Sequence, residues 1–155
     1  MRLVLEETIL APRPIVFGVF TDLARAPERI ESIASLEVLG CGAVGAGTRF
    51  RETRIMFGKE AVEEMEVTSF DAPIRYTVEG ESCGARFLTD YRFDEDGSGT
   101  RVTMTMSTHN STLFAKVIGP LMGLLMGGAM RRAMARDHAA LKRAAEELAA
   151  ETAGA

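Results

Sequence analysis

Between Thr48 and Thr108 the chain alternates polar and apolar residues in runs broken at Phe57-Gly58, Asp71-Ala72-Pro73, Gly80 to Gly84 and Asp94 to Gly99. A period of two places alternate side chains on opposite faces of a strand, and breaks of this kind fold each strand back on the one before. The pattern predicts a meander of five antiparallel strands. Centring the first turn on Phe57-Gly58 pairs Arg49 with Glu66 and Arg51 with Glu64, complementary charges on one face. Carrying the register onward sets Glu66 against Arg75, Arg75 against Asp90, Glu79 against Arg86 and Asp94 against Arg101.

That charged face belongs outside. The inner face then comprises Phe50, Glu52, Arg54, Met56, Ala61, Glu63, Met65, Val67, Ile74, Tyr76, Val78, Phe87, Thr89, Tyr91, Phe93, Val102, Met104 and Met106, mostly apolar or aromatic, as a sheet covered on one side requires.

The flanks supply the cover. Leu3 to Leu10 has strand content and ends at Pro12 and Pro14; short helices are predicted over Ile15 to Phe20 and Asp22 to Ile33, with Asp22 as a cap. After Leu36 to Leu39, Gly40, Gly42, Gly45 and Gly47 make a flexible connector. Ser111 or Thr112 caps a final helical pattern that runs to about Ala150, interrupted or kinked early by Pro120. Leu121, Leu124, Leu125, Met130, Met134, Leu141 and Leu148 form its apolar stripe, and residues 151–155 fray. The expected fold is α+β: a curved antiparallel sheet wrapped around a long C-terminal helix, with two short helices after the first strand, in one domain over 1–150.

Composition narrows the function classes. A chain of 155 residues with 46% hydrophobic residues and net charge −4 suits one globular core and carries no basic footprint for nucleic acid. Cys41 and Cys83 lack metal or disulfide-framework spacing and read as reduced thiols. The N-terminus lacks a basic region followed by an apolar run, so no signal peptide is predicted and a cytoplasmic location is expected. Leu113 to Met130 is apolar but holds Lys116, Pro120 and four glycines, which favours a buried or partner-facing helix over an integral membrane segment.

Several motifs carry a family resemblance: Ile9-Leu10-Ala11-Pro12 before a short helix ending at Asp22, Val44 to Thr48 entering a strand, Glu66 to Pro73, the hairpin Asp94 to Thr103, and Leu141-Lys142-Arg143. Over nearly its whole length the chain resembles the START-like superfamily of polyketide cyclases, dehydrases and lipid-transport proteins, with the helix-grip fold shared by the birch pollen allergen. The resemblance implies lipid and hormone carriers, aromatic polyketide cyclases or chaperone-associated domains; no cofactor is expected. Relatives often place tryptophans where this chain has none, one of them at the position of Met104, which points to a pliable, methionine-lined cavity.

Glu52, Arg54 and Glu63 are the candidate catalytic residues, because the register sets Glu52 opposite Glu63 on the concave face. Two carboxylates there repel unless Arg54 compensates, and such a group can orient a ligand or serve as acid and base; a plain salt bridge at an open rim is the simpler alternative. Tyr76 and Tyr91, with Thr89 beside Tyr76, offer polar contacts or structural hydrogen bonds. The ligand-binding candidates are Phe17, Phe50, Met65, Tyr76, Val78, Phe87, Thr89, Tyr91, Met104, Met106, Leu121 and Leu125.

His109 and His138 have no third partner at metal-ligand spacing, and no Gly-x-Ser-x-Gly motif occurs. Met122, Met126, Met130 and Met134 recur every fourth residue, as do Gly119, Gly123 and Gly127, so this helix can meet the sheet closely or pair with a second subunit as a homodimer. The leading reading is binding of a hydrophobic small molecule such as a lipid, polyketide or aromatic metabolite. A cyclase, aromatase or dehydratase using the inner carboxylates is the alternative, and a chaperone-like protein-interaction domain is the third reading.

Overall fold

The structure, a computed structural model, describes residues 1–82, 84–110 and 113–154, with side chains described outside 110–120, 122 and 123. In chain order the elements are β1 (Arg2–Ile9), α1 (Arg13–Thr21), a 3-10 turn (Leu23–Arg25), α2 (Ala26–Arg29), β2 (Ile33–Leu39), β3 (Arg49–Met56), β4 (Lys59–Asp71), β5 (Arg75–Ser82), β6 (Ala85–Asp96), β7 (Gly99–Asn110) and α3 (Leu113–Ala153). The strands form one antiparallel seven-stranded sheet in the order β1-β7-β6-β5-β4-β3-β2, and α3 packs against α1, β1 and β7. This is the helix-grip α+β architecture.

The β3–β4 hairpin has the expected register, with Arg49 opposite Glu66, Arg51 opposite Glu64 and Glu52 opposite Glu63. Its two-residue turn places both Phe57 (φ 51°) and Gly58 (φ 75°) in the left-handed region. Hairpin turns of this hand match strand twist but disfavour a bulky first residue, so Phe57 is held under backbone strain.

The next two pairings differ from the sequence expectation. Glu66 lies opposite Glu79 rather than Arg75, because β5 starts only at Arg75 and β4 carries a bulge between Val67 and Ser69. The extra residue reverses the alternation beyond the bulge, turning Phe70 inward against Phe17, at 5.2 Å between ring centroids. Ile74, expected inside, sits in the turn and is 41% exposed. In β5–β6, Arg75 faces Arg92 and Glu79 faces Leu88, while Arg86 faces Glu81. That two-residue slip preserves the faces, and Arg75 still reaches Asp90 diagonally at 2.6 Å. Asp94 and Arg101 pair as expected. The β5–β6 turn is shorter than expected, with Ser82 opposite Ala85, and Gly80 stays in the strand, where a Cβ would come within 2.5 Å of the Phe87 ring.

The core lies between α1 and the sheet centre. Phe17 meets Phe70, Tyr76 and Phe93 edge-on, Phe20 meets Tyr91 and Phe93, and the Tyr76 and Tyr91 rings stack at 4.7 Å. Two short helices form after β1 as expected, but the second, expected over Asp22 to Ile33, is a 3-10 turn and one turn of α2, because Ile30 is extended and buries its side chain in this core. Asp22 makes no cap; it pairs with Arg29 at 3.5 Å, and Arg29 also donates to the Val19 carbonyl at 3.3 Å.

Helix α3 continues through Pro120 without interruption and reaches Ala153; the expected cap at Ser111 or Thr112 lies outside the described residues. Its expected apolar stripe is buried only in part. Leu141 and Ala145 are in the core, Met130 and Met134 are half-buried, whereas Leu121, Leu124 and Leu125 are 59%, 82% and 71% exposed and Leu148 is also exposed. Length explains this: 41 helical residues span about 60 Å at ~1.5 Å each. The longest strand, 13 residues, covers about 43 Å at ~3.3 Å each. The helix therefore overshoots the sheet. At Gly127 an added Cβ would meet no atom within 4 Å, so that glycine does not mark a close backbone approach. Among the described residues, no helix is long and apolar enough to cross a membrane.

Candidate functional site

Arg54 reaches the concave side from β3 and gathers groups from three elements. Its Nε donates to Glu52 Oε1 at 2.8 Å, and its Nη1 donates to Ser32 Oγ at 2.8 Å and to Asp137 Oδ2. Ser32 Oγ in turn donates to Asp137 Oδ1 at 3.1 Å. Glu52 and Arg54 share a face because they are two residues apart on one strand, while Ser32 comes from the α2–β2 connection and Asp137 from the middle of α3. The result is one guanidinium held between two buried carboxylates.

The electrostatics follow from that count. Burial pushes the Glu52 carboxyl above its ordinary value of 4.5, outweighing the attraction of Arg54, and Glu63 and Asp137 add repulsion. Burial alone would lower Arg54, but the flanking carboxylates hold it firmly charged. Glu63 lies opposite Glu52, half-buried, and makes no ion pair among the described residues.

Behind this cluster lie Tyr91 and His138. Tyr91 is raised mainly by burial, with Arg54 opposing, and its hydroxyl makes no hydrogen bond among the described residues. His138 is 3% exposed, packs on Tyr91 and Phe20, and has no hydrogen-bond partner at either ring nitrogen among the described residues. Burial lowers its pKa from 6.5, partly opposed by Asp137 and Glu7. Tyr76 is buried and directs its hydroxyl toward the Phe20 carbonyl at a long 3.5 Å.

A cleft of about 800 Å³ opens beside the cluster, within the size range of small-molecule sites. Ser32, Arg54 and Asp137 reach it from the inside; Ile30, Ile55, Met56 and the strained Phe57 form its sheet side, and Ala129, Ala133, Ala140 and three arginines its helix side. Phe57 is 55% exposed there.

Of the residues singled out from the sequence, Glu52, Arg54 and Glu63 do converge. Phe17, Phe50, Tyr76, Val78 and Met104 are buried in the packed core, and Met65, Phe87, Thr89, Tyr91 and Met106 are half-buried on the concave face. Leu121 and Leu125 are solvent-exposed because the helix overshoots the sheet at that end. None of these twelve borders the cleft. The missed members are Ser32, Asp137 and His138. A signal for the last two was present: an acid-histidine pair falls between Met134 and Leu141, on the stripe that the helix buries.

The chain matches, over residues 2–146, the family described as polyketide cyclase / dehydrase and lipid transport. It belongs to that family. No curated protein matches it. Among solved structures, TTHA0849 from Thermus thermophilus is 24% identical, with a TM-score of 0.71 over 94% of this chain and 97% of that one. The Zhui aromatase/cyclase from Streptomyces sp. R1128 is 17% identical, with a TM-score of 0.77 over 94% of this chain and 93% of that one. The di-domain ARO/CYC StfQ from the steffimycin biosynthetic pathway is 15% identical, with a TM-score of 0.75 over 99% of this chain and 52% of that one. Membership of the polyketide cyclase / dehydrase and lipid transport family fits the helix-grip sheet and helix described above.

Proposed function

We propose that the protein binds a hydrophobic small molecule in the cleft between β3 and α3, beside the Glu52–Arg54–Asp137 cluster. The observation that carries this reading is the cleft itself: about 800 Å³, with Ile30, Ile55, Met56, Phe57 and the alanines of α3 as its apolar lining, and arginines, Ser32 and Asp137 as its polar lining. A lipid, polyketide or aromatic metabolite has that shape and polarity.

The test is a titration with N-phenylnaphthylamine, a neutral apolar fluorophore, against the wild type and an Ala133→Trp variant that fills the cleft. Saturable binding that is lost in the folded variant supports the reading. Absence of saturable binding, or equal binding to both proteins, overturns it.

A second reading, cyclase or dehydratase chemistry, is favoured by one feature. Glu52 holds its proton more readily than an ordinary carboxyl and can serve as an acid, with the Glu63 carboxyl opposite it on β4 as the second group. Turnover of a poly-β-ketone thioester that Glu52→Gln abolishes without weakening binding would support it. Turnover unchanged by that substitution, or no turnover by the wild type, would remove it.

A further inference from the structure

The cleft is cationic in an acidic protein. Its lining carries Arg29, Arg54, Arg132, Arg136 and Arg143 against only Glu31 and Asp137, although the chain has a net charge of −4. Two of the five arginines are already neutralised, Arg54 by Glu52 and Asp137 and Arg29 by Asp22. Arg132, Arg136 and Arg143 form no ion pair among the described residues, and all three are exposed.

Their spacing matters. Arg132 and Arg136 are one turn apart and Arg143 lies seven residues further on, so all three fall along one face of α3. Like charges one turn apart disfavour a helix, and a bound anion removes that repulsion. Ala129 precedes them and Ala133 and Ala140 fall between them, and these line the cleft with methyl groups only. Across the cleft lie Ile55, Met56 and Phe57. Guanidinium forks bind carboxylate and phosphate oxygens in pairs.

Resting on the ligand-binding reading above, we infer that the ligand is an amphipathic acid, its oxyanion head group held by Arg132, Arg136 and Arg143 and its apolar body laid on the Ile55–Phe57 side. A neutral lipid of equal length leaves those arginines unused.

Isothermal titration with dodecanoate, dodecyl phosphate, dodecanol and dodecylammonium, each below its micellar concentration, tests this. Dodecanoate or dodecyl phosphate is expected to bind about tenfold or more tighter than dodecanol at low salt, with dodecylammonium weakest. That preference should shrink as salt rises, because exposed charges are screened. The stronger of the two anions identifies the head group as carboxylate or phosphate. Arg132→Ala and Arg136→Ala should each weaken the anion about tenfold and leave dodecanol unchanged, with Arg136→Lys in between. These sites are exposed, and circular dichroism verifies that the variants fold. Equal affinity for dodecanoate, dodecyl phosphate and dodecanol, or anion binding indifferent to the arginines, overturns the charge inference while ligand binding stands. Binding of none of the four probes overturns both.

Discussion

The concave surface meets burial in opposite ways at its two ends. Beneath α1 the side chains of Phe17, Phe20, Tyr76 and Phe93 interlock, with Phe93 fully buried and three rings against it. Beside the middle of α3, Glu52, Arg54 and Asp137 keep charges in a partly dry site, with Glu63 and His138 close by and unpaired among the described residues. The aromatic end stabilises the fold by removing apolar area from water, whereas the charged end at best breaks even against an apolar replacement. A polar cluster retained at the head of an open cleft therefore points to binding.

That contrast can be broken most severely at its aromatic end. Phe93→Ala should cost about 3–5 kcal/mol in a urea unfolding titration, since its cavity adds to the lost transfer energy. At the charged end the sign depends on how many partners are removed. Arg54→Ala leaves Glu52 and Asp137 unneutralised and should cost about 3 kcal/mol. Replacing the three together, Arg54→Met with Glu52→Leu and Asp137→Leu, should return stability to within about 1 kcal/mol of wild type or above it, and abolish ligand binding. A triple variant as unstable as Arg54→Ala would contradict the contrast.

The pH dependence sharpens it further. The folded pKa of Glu52 is raised above 4.5, so the native state holds a proton that the unfolded chain has released. Its contribution is fully present below 4.5 and is lost as pH rises through the folded value. His138 works the other way: its folded pKa lies below 6.5, so stability is present above 6.5 and falls as pH drops toward the folded value. Glu52→Gln should remove the first slope and His138→Phe the second, measured as urea midpoints between pH 4 and 8. Unchanged slopes in both variants would mean that neither group titrates differently on folding.

The smallest effect is expected at the rim. Phe57→Asn relieves the left-handed strain at a hairpin turn and should gain about 1 kcal/mol, while weakening the apolar ligand by removing an exposed ring from the cleft. A gain in stability with no loss of affinity would take Phe57 out of the site.

The sequence was most legible where alternation ran unbroken. Glu52 opposite Glu63 followed from the Phe57-Gly58 turn and two regular strands. Alternation could not carry the register past the Val67–Ser69 bulge, since one added residue swaps the faces without leaving a mark in polarity. Arg54 was legible as a concave charge, but its partner Asp137 lies 83 residues away, and pairing them required the placement of α3 across the sheet. Helical periodicity identified Leu121 and Leu125 as apolar-face residues, yet periodicity says which face is apolar and nothing about whether anything covers it. The cleft was least legible of all, because small alanines and a strained turn define it more than any motif.

The most direct measurement is a methyl NMR titration of the wild type with dodecanoate, with alanine, methionine, valine and leucine methyls labelled. Ligand in the cleft should shift Met56, Ala133 and Ala140 progressively while Val16 and Val102 in the packed core stay still. Shifts confined to Leu121, Leu124 and Leu125, or none at all, would place any binding elsewhere and contradict the cleft as the site.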